Sequence, residues 1–281
     1  MTHSKTSKAA ATATTQLHPR QRALVERVQN QGGSCSVEAL AQALDVTPQT
    51  IRRDVLQLEQ LGLLRRYHGG VALPGGAANL AYSTRQTLLA GEKRSIAELV
   101  AQHIPHHSSL FINLGTTTEE VAKALHQHRG LRILTNNLNV AMLTCDFPEA
   151  EVTVVGGVVR PRDRGVTGEA AIDLIRQFQV DYAVIGVSSV DLNGTLRDFD
   201  YREVRVTQAV MAQARQVFLV ADHSKLGRPA LVRLGELREI DAFFTDLPPP
   251  PELLAALQGS KTQIHVAGET VTPARKPAPL R

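Results

Sequence analysis

The chain of 281 residues has a formal charge of +4 and two cysteines, and it has no apolar run near the ~18–20 residues that a membrane span requires. Two cysteines far apart, Cys35 and Cys145, argue against a disulfide-built fold or a metal centre and read as reduced, buried or half-buried thiols, while the length allows two domains. The charge is unevenly placed: residues 1–73 hold nine Lys and Arg against five Asp and Glu, and the remainder holds 22 of each.

Residues 1–16 are mostly Ala, Thr, Ser and Lys and read as a disordered tail. They lack the apolar core of a signal peptide, so a cytoplasmic location without membrane contact is expected. A first helix is expected from Pro19 to about Gln31, with Leu24, Val25 and Val28 inward and Gly32-Gly33 as its stop. In the following SVEALAQALDVTPQTIRRD, the positions Val37, Leu40, Ala41 and Leu44 fall at helical spacing. Thr47 before Pro48 has the form of an N-cap followed by proline at the first helical position. A helix then runs from Pro48 to about Gln60, with Ile51, Val55, Leu58 and Leu61 expected on its buried side. Two helices so closely joined form a helix-turn-helix.

Thr47, Gln49, Thr50, Arg52 and Arg53 lie at the start of the second of these helices, the part of a recognition helix that meets base edges. Gln suits adenine and Arg suits guanine in the major groove. LLRRYHGGVAL then reads as a hairpin about His68-Gly69-Gly70, a wing that brings Arg65, Arg66 and His68 near phosphates. A surface helix with solvated arginines is the plain alternative. The cap, the helical spacing, the basic face and the basic hairpin occur together, however, and the chain's excess positive charge sits with them, which favours double-stranded DNA as partner. The N-terminal domain is therefore placed at residues 17–73.

Residues 74–91, with Gly75 and Gly76, read as a linker. An amphipathic helix follows over Glu92–Ile104, with Ile96, Leu99, Val100 and Ile104 as its stripe. From Ser109 apolar strands alternate with helices: SLFINL, Thr118–His128, LRILT, Leu138–Cys145, EVTVVGG, Ala170–Phe178, DYAVIGVSS, Tyr201–Ala214, QVFLVAD, DAFFTD, a helix begun by Pro248–Pro251, and TQIHVA. This order implies an α/β domain with a largely parallel sheet over residues 92–267, followed by a loose tail, 268–281.

Ligands of open α/β sheets bind beyond the carboxyl ends of the strands. Gly115, Thr116, Thr117 and Thr118 follow the first strand and suit a phosphate at a helix N-terminus. Later strand ends present Asn136 and Asn137, then Gly156 and Gly157 with Arg160 beyond, then Ser188 and Ser189, and finally Asp222, Ser224 and Lys225. Each alone has a plain reading as a cap, turn or surface loop; together they favour a phosphorylated polyol or sugar. Asp200 and Glu203 open a long helix, where acids are favourable anyway, and also suit ligand hydroxyls.

TPQTIRRDVLQLEQLGLLRRYHGGVALP resembles the signature of the DeoR-type bacterial repressors, and NLGTTTEEVAKAL, ILTNNLNVA, VVGGVVRPRDRGVTGEAA and VADHSKLG resemble the sensor domain of the same family, over about residues 18–266. Within the family, FDYREVR, PRDRGVTGEA and TDLPPP look most like the branch that governs glycerol metabolism. The resemblance implies a winged helix-turn-helix followed by an α/β sensor domain similar to ribose-5-phosphate isomerase-like folds. It implies that Gly115–Thr118, Asn136, Asn137, Gly156, Gly157, Glu203 and Lys225 line the site of a small effector, glycerol 3-phosphate foremost, with no cofactor, no metal and no catalysis. A homodimer or homotetramer is expected on operator DNA, since one recognition helix reads few base pairs. Two alternatives stay open: the same repressor answering fructose 1-phosphate or deoxyribose 5-phosphate, and a sugar-phosphate isomerase with Glu203 as base and Lys225 holding charge at the reacting oxygen.

Overall fold

The computed structural model describes residues 17–31, 34–61, 63–67, 70–72 and 82–268. The tail expected over 1–16, the stop at Gly32-Gly33, His68 at the wing tip, the linker as far as residue 81 and the C-terminal tail beyond Gly268 lie outside the described residues.

The N-terminal unit comprises α1 (Pro19–Asn30), β1 (Ser34–Ser36), α2 (Val37–Ala43), α3 (Pro48–Gln60), β2 (Arg65–Tyr67) and β3 (Gly70–Ala72). Ser36 caps α2 by accepting from the Ala39 N–H at 3.1 Å, and Thr47 caps α3 by accepting from the Thr50 N–H at 3.2 Å. Each cap satisfies a donor that the first turn leaves without an intrahelical partner. Leu24, Val25, Val28, Leu40, Ile51, Val55 and Leu58 form the core. The wing has three antiparallel strands in the order β1-β3-β2, not the two of a simple hairpin; Cys35 pairs with Val71, which pairs on its other side with Arg66. Leu61, expected inside, is 46% exposed, because α3 ends one residue before it. Asp54 takes an inward place on α3 and accepts from Arg20 Nε of α1 at 2.6 Å. Cys35 is buried, whereas Cys145 is exposed rather than half-buried; both are free thiols.

The expected linker is partly structured. Tyr82–Thr87 is a helix, α4, and Leu88 and Leu89 beyond it are buried in the core of the N-terminal unit. Next comes α5 (Ala90–Ala101). The chain then runs β4 (Ser109–Ile112), α6 (Thr116–Ala124), β5 (Arg132–Thr135), α7 (Leu138–Thr144), β6 (Glu151–Val154), β7 (Val158–Arg160), β8 (Gly165–Thr167), α8 (Glu169–Ile175), β9 (Val180–Gly186), β10 (Ser189–Val190), β11 (Thr195–Asp198), α9 (Tyr201–Ala212), β12 (Ala214–Val220), β13 (Val232–Glu236), β14 (Ala242–Thr245), α10 (Pro251–Ala256) and β15 (Gln263–Val266). One parallel sheet runs β15-β14-β12-β9-β4-β5-β6. Alternate strand residues feed two cores: Phe111, Ala183, Ile185, Leu219 and Phe243 face α8, α9 and α10, while Leu110, Ile112, Val184, Phe218 and Phe244 face α5, α6 and α7. This is the burial on both faces that continuous apolar strands imply.

The strand order reverses between β4 and β9. From β4 the chain builds outward through β5 and β6; from β9 it builds the other way through β12, β14 and β15. That junction is the switch point where α/β sheets bind ligands. Two smaller sheets, β10-β11-β13 and β7-β8, have no counterpart in the sequence reading, since their strands are two to five residues long.

Candidate functional site

Two surfaces carry the candidate residues. On the N-terminal unit, Thr47, Gln49, Arg52 and Arg53 are exposed and Thr50 is half-buried. The Thr50 hydroxyl lies 2.9 Å from that of Thr47, so these two side chains build the cap before they touch anything else. Arg52 approaches Glu38 of α2 only to 3.9 Å, and its guanidinium stays in solvent. On the wing Arg65 is exposed, whereas Arg66 is held by Glu59: its backbone N–H donates at 3.1 Å and its Nε at 2.6 Å. Those two bonds, the backbone one first, draw the Glu59 carboxyl below the usual range.

The second surface is a cleft with a void of about 50 Å³ at the switch point. Asn113–Thr117 line it from the β4 end, Gly186–Ser188 from the β9 end and Lys225 from the turn after β12. Gly115 has φ 147°, and a side chain there would meet the Thr118 hydroxyl at 3.2 Å. Glycine therefore lets the chain turn straight from strand to helix, with the N-terminus of α6 aimed into the cleft. The Thr118 hydroxyl donates to the carbonyls of Asn113 and Gly115 at 2.7 and 2.8 Å, which fixes the turn.

A cluster of ion pairs stands beside the cleft. Arg160 donates to Asp163 at 2.6 and 2.9 Å and to Asp200 at 2.8 Å, and it also pairs with Glu203; Arg162 reaches Asp200 and Glu203 at 3.3 Å. Asp198 accepts from Ser188 at 2.8 Å. Burial, followed by the repulsion of Asp198, raises the Glu203 carboxyl to about 7 in spite of Arg160, as expected where the carboxylates of Asp163, Asp198, Asp200 and Glu203 outnumber the guanidiniums of Arg160 and Arg162. At the turn after β12 burial, together with the charges of Arg228 and Lys93, lowers Lys225 to about 7 against the pull of Asp222. Burial opposes ionisation of Asp222, but Lys225 and Lys93 outweigh it and its carboxyl stays below the usual range.

Tyr82 and Arg85 of α4 complete the wall. The Tyr82 hydroxyl donates to Glu119 of α6 and accepts from Asn139 Nδ2 at 2.9 Å, and Arg85 lies 3.9 Å from Asp163. Neither residue was legible as part of a site, because they sit in a stretch without strand or helix periodicity. Asn113 could have been read, standing directly after the first sheet strand; its amide donates to Thr207 of α9 at 2.7 Å. Glu119, Asp163, Asp198 and Thr207 also line the cleft.

Of the residues singled out in the sequence, Gly115, Thr116, Thr117, Ser188, Glu203 and Lys225 line this cleft together. The others support the walls. Asn136 donates to the Val166 carbonyl at 3.2 Å and Asn137 to Glu119 at 3.0 Å, both fully buried one strand away from the switch point. Gly156 and Gly157 follow the edge strand β6, two strands away, and are exposed. A side chain at Gly157 would fall 2.7 Å from the Thr167 carbonyl, so this glycine serves the close approach of β8. Arg160 is engaged by carboxylates. Asp222 and Ser224 bond to each other and shape the turn that carries Lys225.

A model described as "DeoR C terminal sensor domain" matches residues 89–247, and one described as "DeoR-like helix-turn-helix domain" matches residues 20–75. The glycerol-3-phosphate regulon repressor of Escherichia coli (strain K12) is 43% identical over 247 residues, 88% of this chain and 98% of that one. Its namesake in Haemophilus influenzae is 48% identical over 219 residues, 78% of this chain and 86% of that one. A ribose-5-phosphate isomerase structure in complex with phospho-erythronic acid aligns with a TM-score of 0.35 at 17% identity, over 48% of this chain and 52% of that one. The relatives are repressors rather than enzymes, and the family is regulatory. With both of its domains matched and close relatives aligned along most of its length, the chain belongs to the DeoR family of DNA-binding transcriptional repressors.

Proposed function

We propose that this repressor controls genes of glycerol and glycerol 3-phosphate catabolism, and that glycerol 3-phosphate bound in the cleft releases it from operator DNA. The observation that carries the reading is the mixed chemistry of one cleft. The N-terminus of α6 at Gly115–Thr117 and the ammonium of Lys225 suit a phosphate. Glu203, Asp198 and Ser188 line the same cleft and offer acceptors and donors for hydroxyl groups. A small molecule that carries both a phosphate and hydroxyls matches this set. Relatives at 43% and 48% identity bearing the glycerol-3-phosphate name support this choice over other sugar phosphates.

Gln49, Arg52 and Arg53 read base edges in this scheme, with Thr47 and Thr50 at the cap and Arg65, Arg66 and His68 on phosphates. Two copies at least act together, because a single recognition helix spans too few base pairs for specific binding. The protein works in the cytoplasm, where both its DNA and its effector are found. As it stands the cleft is narrow: Tyr82 of α4 bridges to Glu119 at its wall, and the void is about 50 Å³. In this scheme the effector moves α4 outward as it binds. Since α4 leads directly to Leu88 and Leu89 in the head core, that displacement reaches the DNA-reading domain.

A titration of protein bound to duplex DNA from its own glycerol promoters, against glycerol 3-phosphate, fructose 1-phosphate, deoxyribose 5-phosphate and inorganic phosphate, tests the reading. Release by glycerol 3-phosphate at the lowest concentration is expected. Release by a different phosphate ester alone reassigns the effector.

A further inference from the structure

The turn that brings Lys225 to the cleft also touches the DNA-binding head. Residues His223–Lys225 form a single 3-10 turn after β12, capped by Asp222, whose carboxylate accepts from the Ser224 N–H at 3.1 Å. Ser224 is buried, and its hydroxyl donates to the same Asp222 carboxylate, which ties the turn together. Lys225 faces the cleft. His223, two residues earlier, faces the other way: its Nδ1 lies 2.5 Å from Asp246 Oδ2, its backbone N–H donates to Asp246 Oδ1 at 2.7 Å, and its Nε2 lies 4.0 Å from Glu26 Oε2 of α1. With one carboxylate at each ring nitrogen the imidazole carries a proton, and its pKa is raised to about 10, by Asp246 first and Glu26 next. Among the described residues this pair links the head to the sensor domain away from the α4 connection.

We propose that His223 is a positioning residue for induction: its contact with Glu26 holds helix α1 against the sensor domain in the effector-free arrangement, and capture of the effector phosphate by Lys225 on the same turn breaks that contact. This rests on the effector reading given above. The two side chains share a rigid backbone turn, so a movement that brings the Lys225 ammonium onto a phosphate moves the imidazole with it. The contact belongs to the arrangement with the narrow cleft, which the effector reading assigns to the form that binds DNA. Removing it shifts the balance toward the released form. The effector then has less to overcome, and its apparent affinity rises by the factor the contact supplied.

The test uses full-length protein, a labelled promoter duplex and glycerol 3-phosphate, with Glu26→Gln, His223→Ala and the double variant. In each variant glycerol 3-phosphate should bind the DNA-free protein about fivefold more tightly, and half-release of DNA should need correspondingly less effector. The double variant should match the single ones, because both remove one contact. Operator affinity without effector should fall by no more than the same factor. Unchanged effector affinity in both single variants overturns the proposal, as does a double variant whose effect is the sum of the two. If His223→Ala fails to fold because Asp246 Oδ2 loses its imidazole partner, Glu26→Gln decides alone. A wild-type protein that ignores glycerol 3-phosphate overturns the effector reading itself, and this inference with it; a wild-type protein that responds while Glu26→Gln responds identically overturns only this inference.

Discussion

Lys93, in the first turn of α5, donates from its ammonium to the carbonyl of Leu88 at 2.6 Å, while the Leu88 side chain lies in the core of the DNA-binding head. The same nitrogen donates to the Arg85 carbonyl, so one buried lysine fastens the end of α4 to the sensor domain. Burial lowers Lys93 to about 8 against the pull of Asp222, which marks how dry the joint is. The joint lies between the cleft wall at Tyr82 and Arg85 and the head at Leu88 and Leu89.

Lys93→Met should therefore loosen the connection rather than either domain. It leaves two carbonyls without a donor, a loss of about 1–3 kcal/mol. Limited proteolysis should cut faster between residues 73 and 90, and the repressor should respond to less effector. An unchanged digestion pattern would contradict the joint.

Arg52→Ala should weaken operator binding by about 1–3 kcal/mol, roughly 5- to 150-fold, because its guanidinium is exposed at the start of the recognition helix and approaches Glu38 only to 3.9 Å. Effector affinity in the absence of DNA should not move. Equal loss of both, read by fluorescence anisotropy and calorimetry, would contradict separate reading and sensing surfaces.

Burial lowers Lys225 to about 7 beside the cleft, below the ordinary lysine range. A phosphate placed beside it favours the charged form, so binding takes up a proton and effector affinity falls as pH rises through 7 and beyond. Calorimetry at pH 8 in buffers of different ionisation enthalpy should report uptake approaching one proton. Lys225→Ala should lose that uptake and about tenfold or more in affinity. Uptake that persists in Lys225→Ala assigns the titration to another group.

Glu203 binds a proton more tightly folded, near 7, than at its ordinary 4.5. The fold thus loses stability as pH rises from about 4.5 to 7, where the unfolded chain is already ionised and the buried carboxylate is not. Glu203→Gln removes that slope. Its stability relative to wild type should grow between pH 5 and pH 8, by on the order of 1–3 kcal/mol, as read from urea midpoints. A pH-independent difference would mean that Arg160 and Arg162 fully offset the charge.

The two-domain plan was legible because its signals are local. The Thr47-Pro48 cap, the spacing of Ile51, Val55 and Leu58, and the glycine and hydroxyls after the first sheet strand all act within one turn of chain. The cleft was only half legible because its composition depends on strand order. Asn136 and Gly157 follow strands as Gly115 does, yet their strands lie one and two places beyond the switch point, and nothing in a linear pattern gives that order. Tyr82, Arg85 and the inward Leu88 and Leu89 were hidden for a different reason: they belong to a short helix and the turn that follows it, whose packing partners come from both domains, so no single periodicity marks them.

Reciprocity gives the most direct measurement. If the cleft and the recognition helix report on one equilibrium, glycerol 3-phosphate must weaken operator binding by the same factor by which operator DNA weakens glycerol 3-phosphate binding. Measuring operator affinity with and without saturating glycerol 3-phosphate, and glycerol 3-phosphate affinity with and without saturating operator, should return equal factors, each well above tenfold. A glycerol 3-phosphate affinity that operator DNA leaves unchanged would contradict the coupling of effector to release.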